Sequence, residues 1–318
     1  MIGPRLLAAL TCMALGGCAT TASTARTDEA LGGATIDASW FDGQSGKALS
    51  ADEVAARILA ANVILVGEQH AEPRSMATHV AVLHAVRKTN ARVAVGVEWL
   101  PYSARLAATS WIEIDEPVES LAKTVDWPRI WGHDLAAYRP VLLAVRALGF
   151  SLAPINAEPG VARLVARHGL DELPPDVALP ALMRPNAAHR AWFEDIMALS
   201  ARGHDHTKGG GPGFMDRLYL AQLVWDETMA QRTGELARTH DKVVVFAGTG
   251  HVGFGFGIPE RLPEELTKLV VLPATSPEDA RLRALDAPLS DGQGAANTRL
   301  RRADLFVVVP QMDTITAL

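Results

Sequence analysis

Four short apolar runs, Val63–Val66, Arg92–Val97, Phe150–Ile155 and Lys242–Ala247, constrain the fold of this chain more than any other feature. A strand covered by helices on both faces reads as near-continuous apolar sequence, whereas a strand with one wet face alternates. Helical patterns separate these runs. Across Ser75–Thr89, Met76, Val80, Leu83 and Val86 share one face. Pro140–Leu148 reads as a helix that Pro140 opens and Gly149 closes. Asn186 is placed to cap a helix reaching about Arg202, and Phe214–Thr239 is a long helix. Two further strands fall at Leu269–Leu272 and Leu305–Val309, and no internal repeat is visible. Strands alternating with helices predict an α/β fold, with a mostly parallel sheet flanked by helices.

Each of the four runs ends in polar residues. Val66 leads into Gly67-Glu68-Gln69-His70, Val97 into Glu98, Ile155 into Asn156, and Ala247 into Gly248-Thr249-Gly250-His251. Ligands of parallel α/β sheets bind outside the carboxyl ends of the strands, so these exits predict one shared cleft. A single histidine after a strand is ordinarily a hydrogen-bonded turn residue; the repeated placement is the signal. The two Gly-x-x-His segments share a form in which glycine allows close backbone approach. His70 and His251, with Glu68 or Glu98, are of the types that hold a divalent metal such as Zn or Mn. They serve equally well as groups around a larger ligand.

On the long helix, Met215, Tyr219, Gln222, Asp226 and Met229 fall on one narrow stripe, with Leu218, Leu220, Leu223, Val224 and Trp225 over much of the rest. Buried Gln and Asp without partners are costly. The stripe therefore lines the cleft, or else lies against solvent on a half-buried helix. Trp127, Trp131, His133 and Tyr138 precede Pro140. Tyr138 is expected in the first turn of that helix with its hydroxyl towards the cleft; the tryptophans suit core packing or a flat apolar ligand. The loop 203–213 is rich in glycine and contains His204 and His206. It lacks the phosphate-binding G-x-x-x-x-G-K-[ST] pattern and reads as a lid or hinge, its histidines being either ligand contacts or exposed polar residues. His79 and His84 read as packing or surface residues, and there is neither His-Glu-x-x-His nor Gly-x-Ser-x-Gly.

The N-terminus carries an export signal. Arg5 precedes the apolar run Leu6–Leu15, and Leu15-Gly16-Gly17-Cys18 follows. The run falls short of the ~20 residues a bilayer requires. Leu-Gly-Gly-Cys resembles the lipobox of bacterial lipoproteins, which implies cleavage before Cys18 and a lipid on that cysteine. Ala19 rather than Asp after the cysteine favours the outer membrane by resemblance to sorting rules. The expected organisation is a signal peptide over 1–17, a lipidated tether over 18–45 and one domain over 46–318. Cys12 leaves with the signal, so no thiol remains for a disulfide or a nucleophile. The net charge of −6, with no basic cluster, argues against a nucleic-acid partner.

Taken together these residues resemble the haem-binding ChaN-like lipoprotein family. The matching pieces are Gly67-Glu68-Gln69-His70, Glu98, Tyr138-Arg139-Pro140, Asn156, Gln222-x-x-x-Asp226-x-x-Met229-Ala230, Gly248-Thr249-Gly250-His251-Val252 and Gly257-Ile258-Pro259. The resemblance implies an α/β fold with a small helical lid, haem binding at the envelope in haem-iron uptake, and a homodimer enclosing haem. It implies a tyrosine as iron ligand. Tyr138 is preferred over Tyr219, and Tyr102 lies outside the matching pieces. A histidine would accompany it, with His133, His204 and His206 as candidates, and His70, Asn156, Gln222 and Asp226 would complete the haem site. The superfamily also includes Tiki-type metalloproteases and erythromycin-esterase-like enzymes. The alternative is therefore a metal-dependent hydrolase with Glu68, His70, Glu98 and His251 as its machinery.

Overall fold

A computed structural model describes residues 37–171, 173, 179–183, 185–201, 213–285 and 301–310. Cys18, the signal, residues 19–36 of the tether, His204 and His206 lie outside the described residues. The strands are β1 (Ser39–Asp42), β2 (Val63–Glu68), β3 (Val93–Pro101), β4 (Ser151–Asn156), β5 (Lys242–Gly248), β6 (Lys268–Pro273) and β7 (Leu305–Val308). They form one sheet in the order β1-β7-β6-β2-β5-β3-β4. All neighbouring pairs are parallel except β1 with β7. The central strands β2 and β5 are buried along their whole length, as continuous apolar sequence requires.

The helices are α1 (Ala51–Ala60), α2 (Pro73–Arg87), α3 (Arg105–Ile114), α4 (Val118–Val125), α5 (Trp127–Ile130), α6 (Leu135–Ala147), α7 (Val161–His168), α8 (Ala187–Ala201), α9 (Phe214–Ala237), α10 (Ile258–Arg261) and α11 (Pro277–Leu285). One apolar core joins Val66, Val97 and Phe246 to Met76, Val80 and Leu83 of α2 and Val141 and Leu142 of α6. A second, on the opposite face, joins Leu65, Val245 and Ile155 to Met229 of α9 and Ile258 of α10. Asn186 caps α8 as its sequence suggested, its Oδ1 accepting from the N–H of Ala188 at 3.0 Å.

Two of the boundaries that differ from the sequence reading bear on the site. α6 begins at Leu135, capped by Asp134, and carries Pro140 in its interior. An interior proline removes one helical hydrogen bond. Burial of Tyr138, Val141, Leu142 and Val145 on one face, together with the Asp134 cap, holds the helix through it. β3 runs past Val97 to Pro101, every residue buried, with a register shift against β4 between Val97 and Pro101. Glu98 therefore sits inside a strand rather than beyond its end. Its carboxylate is satisfied there, which is what permits the strand to continue.

Candidate functional site

The exits of β2 and β5 lie side by side, Glu68 pairing in register with Gly248. Here the backbone must pass close to side chains. A Cβ on Gly67 would sit 2.3 Å from Leu272 Cδ2, and one on Gly248 would sit 3.0 Å from His70 Cε1. Glycine is the residue that fits both places.

His70 follows β2 and is the most open member of the cluster. Its Nδ1 lies 2.8 Å from Glu68 Oε1, and its side chain is 33% exposed against 0% for Glu68. Trp99 Nε1 also donates to Glu68, at 3.2 and 3.1 Å to the two oxygens. Burial pushes the Glu68 carboxyl up, against the hydrogen bond from His70. Burial would lower the His70 pKa, but the hydrogen bond to Glu68 and the charge of Glu98 raise it.

The turn that carries His70 is held from behind. Ala71 has a left-handed φ of 57°, a conformation that costs a non-glycine residue. Its N–H donates to the Tyr138 hydroxyl at 3.0 Å, and the same hydroxyl lies 3.4 Å from Glu68 Oε1. Tyr138 is 0% exposed, and burial followed by the Glu68 charge pushes its phenol well above the usual range. Tyr138 does lie in the first turn of α6, but its expected direction towards the cleft is corrected: it points into the core beneath His70. Tyr219 is also buried, with its hydroxyl 3.3 Å from His189 Nδ1 and its pKa pushed by burial to about 12. Tyr102 lies elsewhere, its ring under the Arg232 guanidinium.

A second assembly faces His70. Glu98 Oε2 accepts from the N–H of Gly248 at 2.7 Å, while Glu98 Oε1 lies 3.5 Å from His251 Nε2. His251 Nδ1 lies 2.6 Å from Asp226 Oδ1 on α9. Burial alone would lower the His251 pKa; the carboxylates of Glu98 and Asp226 outweigh it and raise it to about 10. Burial would raise Glu98, yet the cationic His251 draws it down to about 2. The Gln222 amide nitrogen joins this pair, 2.9 Å from His251 Nδ1 and donating to Asp226 Oδ1 at 3.4 Å. The stripe of α9 thus turns inward onto the strand exits, with Asp226 0% exposed. Asn156 Nδ2 donates to the Glu98 carbonyl at 2.8 Å and joins β4 to the same centre.

Sequence reasoning missed three members. His189 of α8 lies 3.6 Å from Asp226 Oδ2 and 3.3 Å from Glu260 Oε1. Trp99 fastens Glu68. His79, read as packing, does pack, its ring stacked on Phe246 at 4.0 Å. It also lies 3.5 Å from Glu68 Oε2, and burial lowers its pKa to about 3, so it is neutral. The Asn186 cap was the one available sequence signal for His189, since it fixes where α8 begins.

Two cavities open over this centre, and His70, Gln222 and His251 border both. One, of about 590 Å³, lies over the β3, β4 and β5 exits, with Trp99, Trp131, His133, Asn156 and Trp225 in its walls and Arg129 and Arg163 at its edge. The other, of about 890 Å³, lies over the β2, β5 and β6 exits. His133 is exposed, its ring 5.3 Å from that of His70. Burial and the charge of His70 lower its pKa, so its imidazole is neutral at pH 7. Among the described residues no three His, Cys, Asp or Glu side chains gather as a metal-holding group. None of the described helices is long and apolar enough to cross a membrane.

Residues 54–262 match the family described as haem-binding uptake, Tiki superfamily, ChaN. The chain belongs to this family. A ChaN of Campylobacter jejuni, solved with cofacially bound haem, is similar in fold with a TM-score of 0.63 and 18% identity, over 86% of this chain and 98% of that one. A mutant of the erythromycin esterase EreC in its open conformation has a TM-score of 0.48 and 14% identity, over 88% and 100% of the two chains. A Bacillus cereus protein has a TM-score of 0.44 and 9% identity, over 91% and 98%. No curated protein sequence matches the chain.

Proposed function

We propose that this protein is a haem-binding lipoprotein of the bacterial outer membrane, taking part in haem-iron uptake. The supporting observation is the 590 Å³ cavity of a ChaN-family chain, with three indoles in its walls and a neutral imidazole at its mouth. Its volume is that of a small-molecule site, and its lining suits a flat apolar ring system. Haem, when bound, would supply an iron that takes a donor atom from the protein. His133 is the donor the cavity offers, because a neutral imidazole has a lone pair for iron. His70, its pKa raised by the hydrogen bond to Glu68 against the effect of burial, is the neighbouring imidazole. Arg129 and Arg163, both exposed in the lining of this cavity, would pair with the carboxylates of a haem. Tyr138 and Tyr219 remain as supports behind the cavity. Lipid on Cys18 supplies the anchor, and a second copy closing over the open cavity supplies the homodimer.

Titrating haem into the mature protein should give a saturable Soret change, and His133→Ala should shift that spectrum. Absence of any saturable change in the wild type would remove the function; an unshifted variant would remove the ligand assignment.

The hydrolase alternative keeps one observation in its favour. His70 and His251 each have Nδ1 held by a carboxylate across Gly248, the arrangement of acid–base groups. On this reading Glu68, His70, Glu98 and His251 act by proton transfer. Hydrolysis of an activated ester, lost in His70→Ala while haem binding persists, would favour it.

A further inference from the structure

We infer that the 890 Å³ cavity on the far side of the His70–Gln222–His251 wall is a second site, for a small anion bearing several carboxylates or phosphates. Three arginines from distant parts of the chain line it, Arg74 in the first turn of α2, Arg283 in the last turn of α11 and Arg302 just before β7, alongside the carboxylates of Glu72 and Asp195. The guanidinium fork fits carboxylate and phosphate in paired hydrogen bonds. Arg74 has its carboxylate neighbour Glu72 at 3.8 Å, beyond hydrogen-bond reach, while the other Glu72 oxygen is occupied with the N–H of Ser75 at 2.7 Å. Arg283 is fixed in place by Asp279 at 3.2 Å and by the Pro273 carbonyl at 2.9 Å, at the very end of β6. The guanidinium of Arg302 lies 5.9 Å from the centre of the Trp192 ring, which lines the same cavity. Cationic His251 adds charge from the floor. The cavity lies at the carboxyl edge of a parallel sheet, where such folds take their ligands. The inference stands apart from the haem reading, but the shared wall makes the two sites adjacent, so occupancy of one should alter affinity at the other.

The test is calorimetric titration of the full-length protein in separate arms with citrate and with inorganic pyrophosphate. At least one should saturate at one anion per chain. Arg74→Gln and Arg283→Gln should each weaken it roughly tenfold, about 1.4 kcal/mol. Arg238→Gln, exposed beyond the end of α9, should leave it unchanged. Saturation by pyrophosphate alone assigns a phosphate ligand, and by citrate alone a carboxylate. No saturation in either arm, or wild-type binding in both arginine variants, overturns the site. A parallel haem titration keeps the readings apart: anion binding without haem binding removes the haem reading alone.

Discussion

Replacing Asp226 with Asn should expose how strongly the buried centre depends on charge. Asp226 is 0% exposed, and its Oδ1 lies 2.6 Å from the Nδ1 of a histidine that stays protonated to about pH 10. Removing one partner of a buried pair costs about 3–5 kcal/mol, because the other charge stays buried. Glu98, with Oε1 at 3.5 Å, remains to offset part of this, which favours the lower end. For a domain of this size that loss corresponds to a fall in Tm of about 10 °C. The pH dependence follows from proton binding. The unfolded histidine releases its proton near 6.5 and the folded one near 10. Stability from this group is therefore complete below 6.5 and disappears as pH rises through 10, at about 1.4 kcal/mol per unit between them. Thermal melts followed by circular dichroism, wild type beside variant, should show the widest gap at about pH 6 and a narrower one at about pH 10. A variant melting within about 2 °C of wild type at the lower pH, or a gap that ignores pH, would refute the coupling.

Tyr138→Phe leaves the Ala71 N–H and Glu68 without their hydroxyl partner and should cost about 1–3 kcal/mol in a urea melt. Its haem spectrum should match wild type, in contrast to His133→Ala. Cys18→Ala should leave the protein unacylated and release it from the membrane fraction; acylation that persists would contradict the anchor.

The sheet was legible because its strands are covered on both faces. Covered strands show as apolar runs, and their polar exits stand out against them. Convergence of Glu68, His70, Glu98, Asn156 and His251 was legible for the same reason, since parallel strands bring all their exits to one edge. Three things were not. The extension of β3 through Glu98 depends on Gly248, a partner 150 positions away whose N–H satisfies the carboxylate. His189 joins the centre because its side chain, on α8, reaches Asp226 and Tyr219 of α9. The direction of Tyr138 was misread because proline ordinarily opens a helix, and the Asp134 cap six residues before Pro140 went unused as a start signal. The loop histidines, His204 and His206, lie outside the described residues.

The donor set also predicts how the centre treats divalent metal. A metal ligand must offer a lone pair, and His251 has neither nitrogen to spare: Asp226 faces Nδ1 and Glu98 faces Nε2. Binding zinc there at neutral pH means displacing a proton held to about pH 10. That opposes metal by about 4 kcal/mol before any bond to it forms. Moving His251 would also uncover Asp226 and Glu98, both buried. His70 is the freer histidine, but its Nδ1 is taken by Glu68 and its remaining nitrogen would have to bind with few companions. The prediction is that protein purified without chelator carries far less than one zinc or manganese per chain, and that His70→Ala does not change this. Mass spectrometry of metal content decides it. Near-stoichiometric metal in the wild type, lost in His70→Ala, would mean that the carboxylates serve a cation other than His251, and the chain would then be a metallohydrolase.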